Sequence, residues 1–303
     1  MTAVRVLEPV LRHAPAGLRF RDVATGQIVQ DALQVTLTAK TNALRTARLA
    51  VNAKGVWYAP RLPGISESLS GADEAPDAAY WAQQRRIYTV SVTDQRGRFL
   101  PLSVELEFPL RGLATWPDWH TLPQELLAPL IDDDGQSPPA PVTCRDALPL
   151  FSAAGRALPA PMAEVRCQLE RADNGEPAAW ALLSASHGGQ VRGLAQADQH
   201  GRVALFFPYP ERPRPTLASS PPAITDFSWN VSFTAYSTLD LSPAKVPDFA
   251  KLMKQLEHPR DLFASTLSTP ALLPAQVLTL GQRCTLKTSD TPKGPSSSLV
   301  MAA

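Results

Sequence analysis

Charge is scarce in this sequence, and what there is cancels. Asp, Glu, Lys and Arg make up 19 % of 303 residues, and the formal net charge is +1. No basic field exists to gather nucleic acid, and no acidic tail stands out. Cysteine is scarcer still, limited to Cys144, Cys167 and Cys284. An odd, sparse set builds no disulfide framework, so folding in a reducing compartment is expected. The histidines are His13, His120, His187, His200 and His258. None lies close to a cysteine and no two share a helical turn, which leaves zinc without clustered ligands. No apolar run approaches the roughly 20 residues that span a bilayer. The first residues, "MTAVRVLEPVLRHAPAGL", lack the apolar stretch and small-residue cleavage site of an export signal. A soluble protein made in the cytoplasm, without membrane insertion, is the expectation.

Several chemical signatures are missing as well. No Walker loop and no Gly-rich strand-to-helix turn is present, which argues against a nucleotide fold. "GISES" (64–68) lacks the second Gly of a nucleophile elbow. In "IDDDGQ" (131–136) Leu130 stands where a calcium loop needs its first acid, and Pro141 where it needs its Glu. That stretch reads as a solvated acidic linker. Glu105 and Glu107 share a strand face, where such pairs ordinarily point to solvent. No catalytic residue, cofactor or metal site is predicted, and the chain reads as non-enzymatic.

Proline, by contrast, is abundant: 30 of 303 residues, roughly twice the usual ~5 %. It bars helix interiors and central strand positions, so short strands and ordered loops are expected. Period-two alternation is clear. Leu33, Val35 and Leu37 alternate with polar residues, as do Leu102, Val104, Leu106 and Phe108. The turn "DQRGRF" (94–99) returns as "DQHGRV" (198–203), each time leading into an apolar run that ends in Phe-Pro. Its Asp caps backbone N–H groups of its own turn, and its Gly takes positive φ. Two copies of one pattern are read. The first runs from Leu18 and Phe20 through the 24–27 turn to residue 109. The second opens at Leu148 and Leu150, turns at Gly155, and continues through Val165, Cys167 and Leu169. Strands this short, with turn signals between them, predict antiparallel β-sandwiches of the immunoglobulin-like kind.

The predicted organisation is a first β-sandwich over 1–113 with an insertion loop at 66–86, a Pro-rich linker at 114–143, a second β-sandwich over 144–240, and a C-terminal extension over 241–303. In the extension Phe249, Leu252, Met253 and Leu256 fall on one face of a helix that starts near Pro247-Asp248 and stops at Pro259. Residues 275–289 read as a hairpin or long strand, followed by a polar tail. The helix and strand need something to pack on: the second sandwich or another subunit. The helix face is therefore one candidate interface. Trp116 and Trp119 in "WPDWH" are another, either as linker anchors or as a docking surface. Tyr209 in "PYPERPRP" is a third, either in a rigid loop or in a polyproline segment for an aromatic groove.

The stretches "LRFRDVATGQIV" and "DQRGRF" resemble the carboxypeptidase-regulatory-like (transthyretin-like) β-sandwich superfamily. "LRFRDVATGQIV" again, with "YTVSVTDQRGRFLPLSVELEFP" and "AAWALLSAS…RGLAQADQHGRVALFFPYPE", looks like a bacterial group associated with gene clusters for contractile injection systems and phage-tail-like particles. The resemblance covers most of 15–110 and 145–240. It implies a structural component near the baseplate, spike or collar, contacting other subunits of a large assembly and its own copies, and extracellular only within a released particle. An adhesion module for carbohydrate or a receptor is the alternative, with the Trp residues stacking on sugar. An accessory domain of a separately encoded hydrolase is a third.

Overall fold

The computed structural model describes residues 16–65, 85–109, 147–211, 227–267, 269–292 and 294–303. The chain is mainly β, with one short helix. In the first half the strands are β1 (Ala16–Leu18), β2 (Phe20–Asp22), β3 (Leu33–Ala39), β4 (Thr46–Arg48), β5 (Ala50–Val51), β6 (Trp57–Ala59), β7 (Arg85–Asp94) and β8 (Leu102–Pro109). Then come β9 (Leu148–Leu150), β10 (Met162–Arg171), β11 (Leu182–His187), β12 (Gln190–Gln196), β13 (Arg202–Pro208) and β14 (Ser228–Tyr236). Helix α1 (Phe249–Lys254) continues into a 3-10 turn, Gln255–Glu257. The last strands are β15 (Pro259–Arg260), β16 (Leu262–Ser265), β17 (Ala271–Leu272), β18 (Gln276–Thr279), β19 (Arg283–Thr285) and β20 (Leu299–Met301).

Alternation sets the first core. The sheet β4-β3-β7-β8 is antiparallel. Its inward positions Val35, Leu37, Val90, Val104 and Leu106 are fully buried, while Lys40, Glu105 and Glu107 stay outside. Burying such a Val or Leu side chain contributes about 1.5–3 kcal/mol. Leu18 and Phe20 do not share one strand. Arg19 separates them, so that β1 pairs with β6 and β2 pairs with β9. The expected opening strand of the second copy, β9, thus lies in the first half, parallel to β2 with Phe20 opposite Leu148. Residues just past it bond to the repeated turn: Leu100 N–H donates to the Phe151 carbonyl and Ala153 N–H to the Arg98 carbonyl. Leu148, Leu150 and Phe151 join the first core.

The frame of the internal repeat shifts accordingly. The true counterpart of β2 is the end of β10, Leu169–Arg171. Val29 N–H bonds the Phe20 carbonyl, and Ala178 N–H bonds the Leu169 carbonyl in the same way. Gly26 and Gly175 close the two turns, each at φ 71. β11 then answers β3, and β12 answers β7. The Asp turns also match. Asp94 accepts from the N–H groups of Arg96 and Arg98, and Asp198 from those of His200 and Arg202. In each case the arginine folds back onto its own aspartate. Beyond the turns the copies part. β8 pairs with β7, whereas β13 leaves β12 and pairs with β10 in the opposite sheet.

The segment read as an extension finishes the second sandwich. β19 and β20 lie parallel to β10, which makes that sheet mixed rather than antiparallel. β15 and β18 add to β14 in the facing sheet. The two strands expected over 275–289 are present, joined by a turn that Gln282 N–H closes on the Thr279 carbonyl, and they serve opposite sheets of their own chain. The expected polar tail ends in a fully apolar strand, since Leu299 and Met301 are wholly buried in the second core. Helix α1 starts at Asp248, as its capping chemistry predicts. It packs on the first half and not on the second sandwich alone. Phe249, Leu252, Met253 and Leu256 all belong to the first core. Asp248 caps Ala250 N–H at 3.0 Å with one oxygen and takes Glu105 N–H of β8 at 2.9 Å with the other. No helix among the described residues is long and apolar enough to cross a membrane.

The two Asp turns differ in room. A Cβ on Gly97 (φ +65) meets nothing within 4 Å, whereas one on Gly201 (φ +74) meets the Leu169 carbonyl oxygen at 2.4 Å. Gly97→Ala is expected to cost about 1 kcal/mol, the left-handed penalty alone. Gly201→Ala should cost about 3 kcal/mol or more, because backbone must move. Denaturant melts of the two variants check the ordering, and equal losses would contradict it.

Candidate functional site

The junction between the halves is built from arginine and phenylalanine. Arg98 and Phe99 leave the first Asp turn. Arg156 lies in the connection after β9. Phe206 stands on the outer face of β13, and Arg166 on β10. The guanidinium of Arg156 lies 4.8 Å from the Phe99 ring centre and 5.9 Å from that of Phe206. Arg98 covers Phe99 at 5.1 Å, and Arg166 covers Phe206 at 5.0 Å. The result is an alternating stack of three cations and two rings, each contact contributing about 0.5–2 kcal/mol. Ala24, from the Gly26 turn, packs on Ala204 and Phe206 beside it.

A buried ion pair locks this stack. Arg156 donates to both oxygens of Asp22, at 2.8 and 2.5 Å, and to the Ser152 hydroxyl at 2.9 Å. The two side chains are 11 % and 7 % exposed. Asp22 also takes the Ala24 N–H and the Thr25 hydroxyl. Burial works to raise the Asp22 carboxyl, but the Arg156 and Thr25 hydrogen bonds and the Arg156 charge outweigh it and hold the group below its ordinary value. Arg166 bonds the carbonyls of Ala154 and Arg156. It shares Glu164 with Arg283 of β19, so the network reaches the last part of the chain.

A cleft of about 560 Å³ opens at one end of the second sandwich. Pro177, Ala178, Leu239 and Leu241 give it an apolar lining, which Arg171, Glu176 and His200 share. Two conformational outliers border it, Leu239 (φ 63) and Trp180 (φ 62). Trp180 has a counterpart in Ala32 (φ 57), just before β3, so its backbone belongs to the repeat. That of Leu239 does not. Its N–H bonds the Ser237 hydroxyl at 3.1 Å and its carbonyl faces Arg171 at 3.5 Å. The Trp180 indole donates to the Ser242 carbonyl at 3.0 Å, which tethers the 237–244 segment over the core.

The sequence-predicted site residues fall elsewhere. Trp116 and Trp119 lie outside the described residues, as do the acidic stretch 131–136 and Cys144. Tyr209 is engaged within the chain. Its ring lies 5.4 Å from that of Trp229, and its hydroxyl accepts from Gly281 N–H at 2.8 Å. The face of α1 is no open docking surface: Phe249, Leu252, Met253 and Leu256 are at most 2 % exposed. Likewise the 275–288 strand region completes this chain's own sheets. Cys167 and Cys284 are free thiols on adjacent strands, and burial pushes Cys167 up to about 12. Among the described residues no three His, Cys, Asp or Glu side chains gather to hold a metal. No motif announced the Arg–Phe stack, because Asp22 and Arg156 stand 134 positions apart. No family model, curated protein or solved structure matches this chain.

Asp22→Asn keeps the shape and removes the charge opposite a buried guanidinium, and is expected to cost about 3 kcal/mol or more. The pH dependence comes from the lowered value. The pair's contribution is complete above the ordinary aspartate value of about 3.9 and is lost as pH falls below it, through the folded value. Urea melts between pH 3 and 7 should show the wild type losing its advantage over the variant toward the acid end; a constant gap would refute the assignment. The thiol of Cys167 should resist alkylation at pH 8 until the chain is unfolded, as mass spectrometry of the native and urea-treated protein would register.

Proposed function

We propose that this chain is a non-enzymatic structural protein, a double sandwich that acts through contacts with other protein subunits. The observation that carries the reading is the junction. A stacked, ion-paired seam joins the halves, the first core takes in Trp180, Leu182 and Tyr236 of the second half, and the late strands fill the chain's own sheets. Such a block transmits load and presents loops at defined positions, as an assembly component must. The resemblance of its turn-and-strand stretches to proteins of contractile injection systems supports membership of a phage-tail-like particle, in the baseplate, spike or collar region. Its partners there are neighbouring subunits, copies of itself included.

Sedimentation of the native protein from its source tests the reading. Recovery in a large particle, with other structural subunits, is expected. Recovery wholly as a free monomer would overturn it.

A further inference from the structure

Asparagine followed by glycine occurs once in this chain, at Asn174-Gly175; Asn42, Asn52 and Asn230 precede Ala, Ala and Val. The pairing has its own chemistry. With no Cβ in the way, the glycine nitrogen can attack the asparagine amide carbon. A C–N bond forms, ammonia leaves with the proton that the glycine nitrogen carried, and a cyclic imide closes. Water then opens the ring at either carbonyl, giving aspartate or isoaspartate. Nothing is oxidised or reduced, and water is the sole co-reactant.

The turn that follows β10 exposes this pair to solvent and yet holds it shut. Asp173, Asn174, Gly175 and Glu176 are all exposed. Both reacting groups are nevertheless engaged. Gly175 N–H donates to the Arg171 carbonyl at 2.9 Å. The Asn174 side-chain oxygen accepts from Glu176 N–H at 2.9 Å, and its Nδ2 donates to the Glu176 carboxylate at 2.9 Å. Ring closure consumes the Gly175 N–H and expels Nδ2 as ammonia. The bonds to the Arg171 carbonyl and to the Glu176 carboxylate must therefore both break. Reaction waits on opening of the turn, because the pinned amide is not free to present its carbon to the nitrogen.

The first half of the chain separates what the turn needs from what it does not. Its matching turn closes with the same backbone bonds. Gly26 N–H meets the Asp22 carbonyl at 2.8 Å and Asp22 N–H the Gln27 carbonyl at 2.9 Å, just as Arg171 N–H meets the Glu176 carbonyl at 2.9 Å. Thr25 stands at the Asn174 position, and its hydroxyl takes Gln27 N–H at 3.4 Å. A hydroxyl thus meets the backbone requirement. The labile amide and its bond to Glu176 belong to the second copy alone.

We propose that Asn174 is a latent deamidation site, kept closed in the folded chain by the hydrogen bond from its amide to Glu176. Conversion sets a carboxylate where an amide donor faced Glu176, beside Asp173. The isoaspartate product also adds a carbon to the main chain of the turn. The strain falls on the end of β10, where Arg171 stands opposite Met301 and Ala172 N–H bonds the Met301 carbonyl. Modification is thereby coupled to the seat of the last strand.

Peptide mapping by mass spectrometry of the full chain, aged in mildly alkaline buffer, tests this. Asn174 should convert about tenfold or more slowly in native buffer than in guanidinium chloride. Glu176→Ala, with a thermal melt to show it folded, should remove most of that difference. Glu176→Gln retains an acceptor oxygen and should stay close to the wild-type rate. Asn174→Thr, the first copy's own choice, should keep its melting temperature through aging, while the converted Glu176→Ala protein melts lower. Native conversion as fast as in denaturant overturns the proposal, as does a Glu176→Ala rate equal to that of wild type. A Gln variant as fast as the Ala variant also overturns it, because the hydrogen bond would then not be what protects the site.

Discussion

A guanidinium buried between two aromatic rings must have a carboxylate, and Arg156 finds its carboxylate on the other half of the chain. Removing an arginine and an aspartate from water is costly, by several kcal/mol for each ion. The cost is met here by two direct hydrogen bonds and by further contacts of the two ions with Ser152, Thr25 and Ala24. Half of such a network is worse than none. The pair therefore specifies one arrangement of the connection after β9, and with it the path by which β9 enters the first half. The ring-and-cation stack runs through the same arginine, so the seam either forms as a whole or leaves charges stranded.

Strand supply obeys a matching logic in both halves. β2 receives a parallel neighbour from β9, and the equivalent end of β10 receives one from β20. Each donor comes from chain that lies later than the strands it completes. Parallel neighbours cannot be joined by a tight turn, so the donors must be distant in sequence. Both sheets remain unfinished until that later chain has docked. Pairings of this kind are non-local, and such contacts slow folding because loop entropy is lost before they form. The benefit lies in the edges. β18 and β19 occupy open flanks of β14 and β10, and exposed flanks are where unwanted sheet addition begins.

The repeated Asp turn illustrates how much local chemistry can and cannot do. The backbone N–H bonds to its Asp recur in both copies because they involve only residues within the turn. In the first copy Arg96 and Arg98 also reach Asp31. The chain beyond each turn takes a different course. Phe99 contacts the β9 segment, while Val203 enters a strand beside β10. The divergence is set by which neighbour is available: Phe99 meets Ser152 just past β9, whereas β13 meets β10. The helix makes the same point. Its cap and its apolar face were legible in the order of residues 248–256, yet nothing in that order says that the Asp248 carboxylate serves β8 as well as the helix.

Alternation, turn residues and capping chemistry are short-range, so the amino-acid order alone determined that the chain is mainly β, where most of its longer strands lie, how its Asp and Gly turns are wired, and that one amphipathic helix begins at Asp248. Strand partners, the frame of the repeat, the burial of the Leu299–Met301 strand and the pairing of Asp22 with Arg156 were decided only in three dimensions. Each of these depends on which surfaces meet across long stretches of chain. An apolar alternating segment states that it needs a partner, and carries no information on which of several similar edges it will find. The cleft belongs to the same class: its lining comes from three separate turns, and only their packing over the second core brings them together.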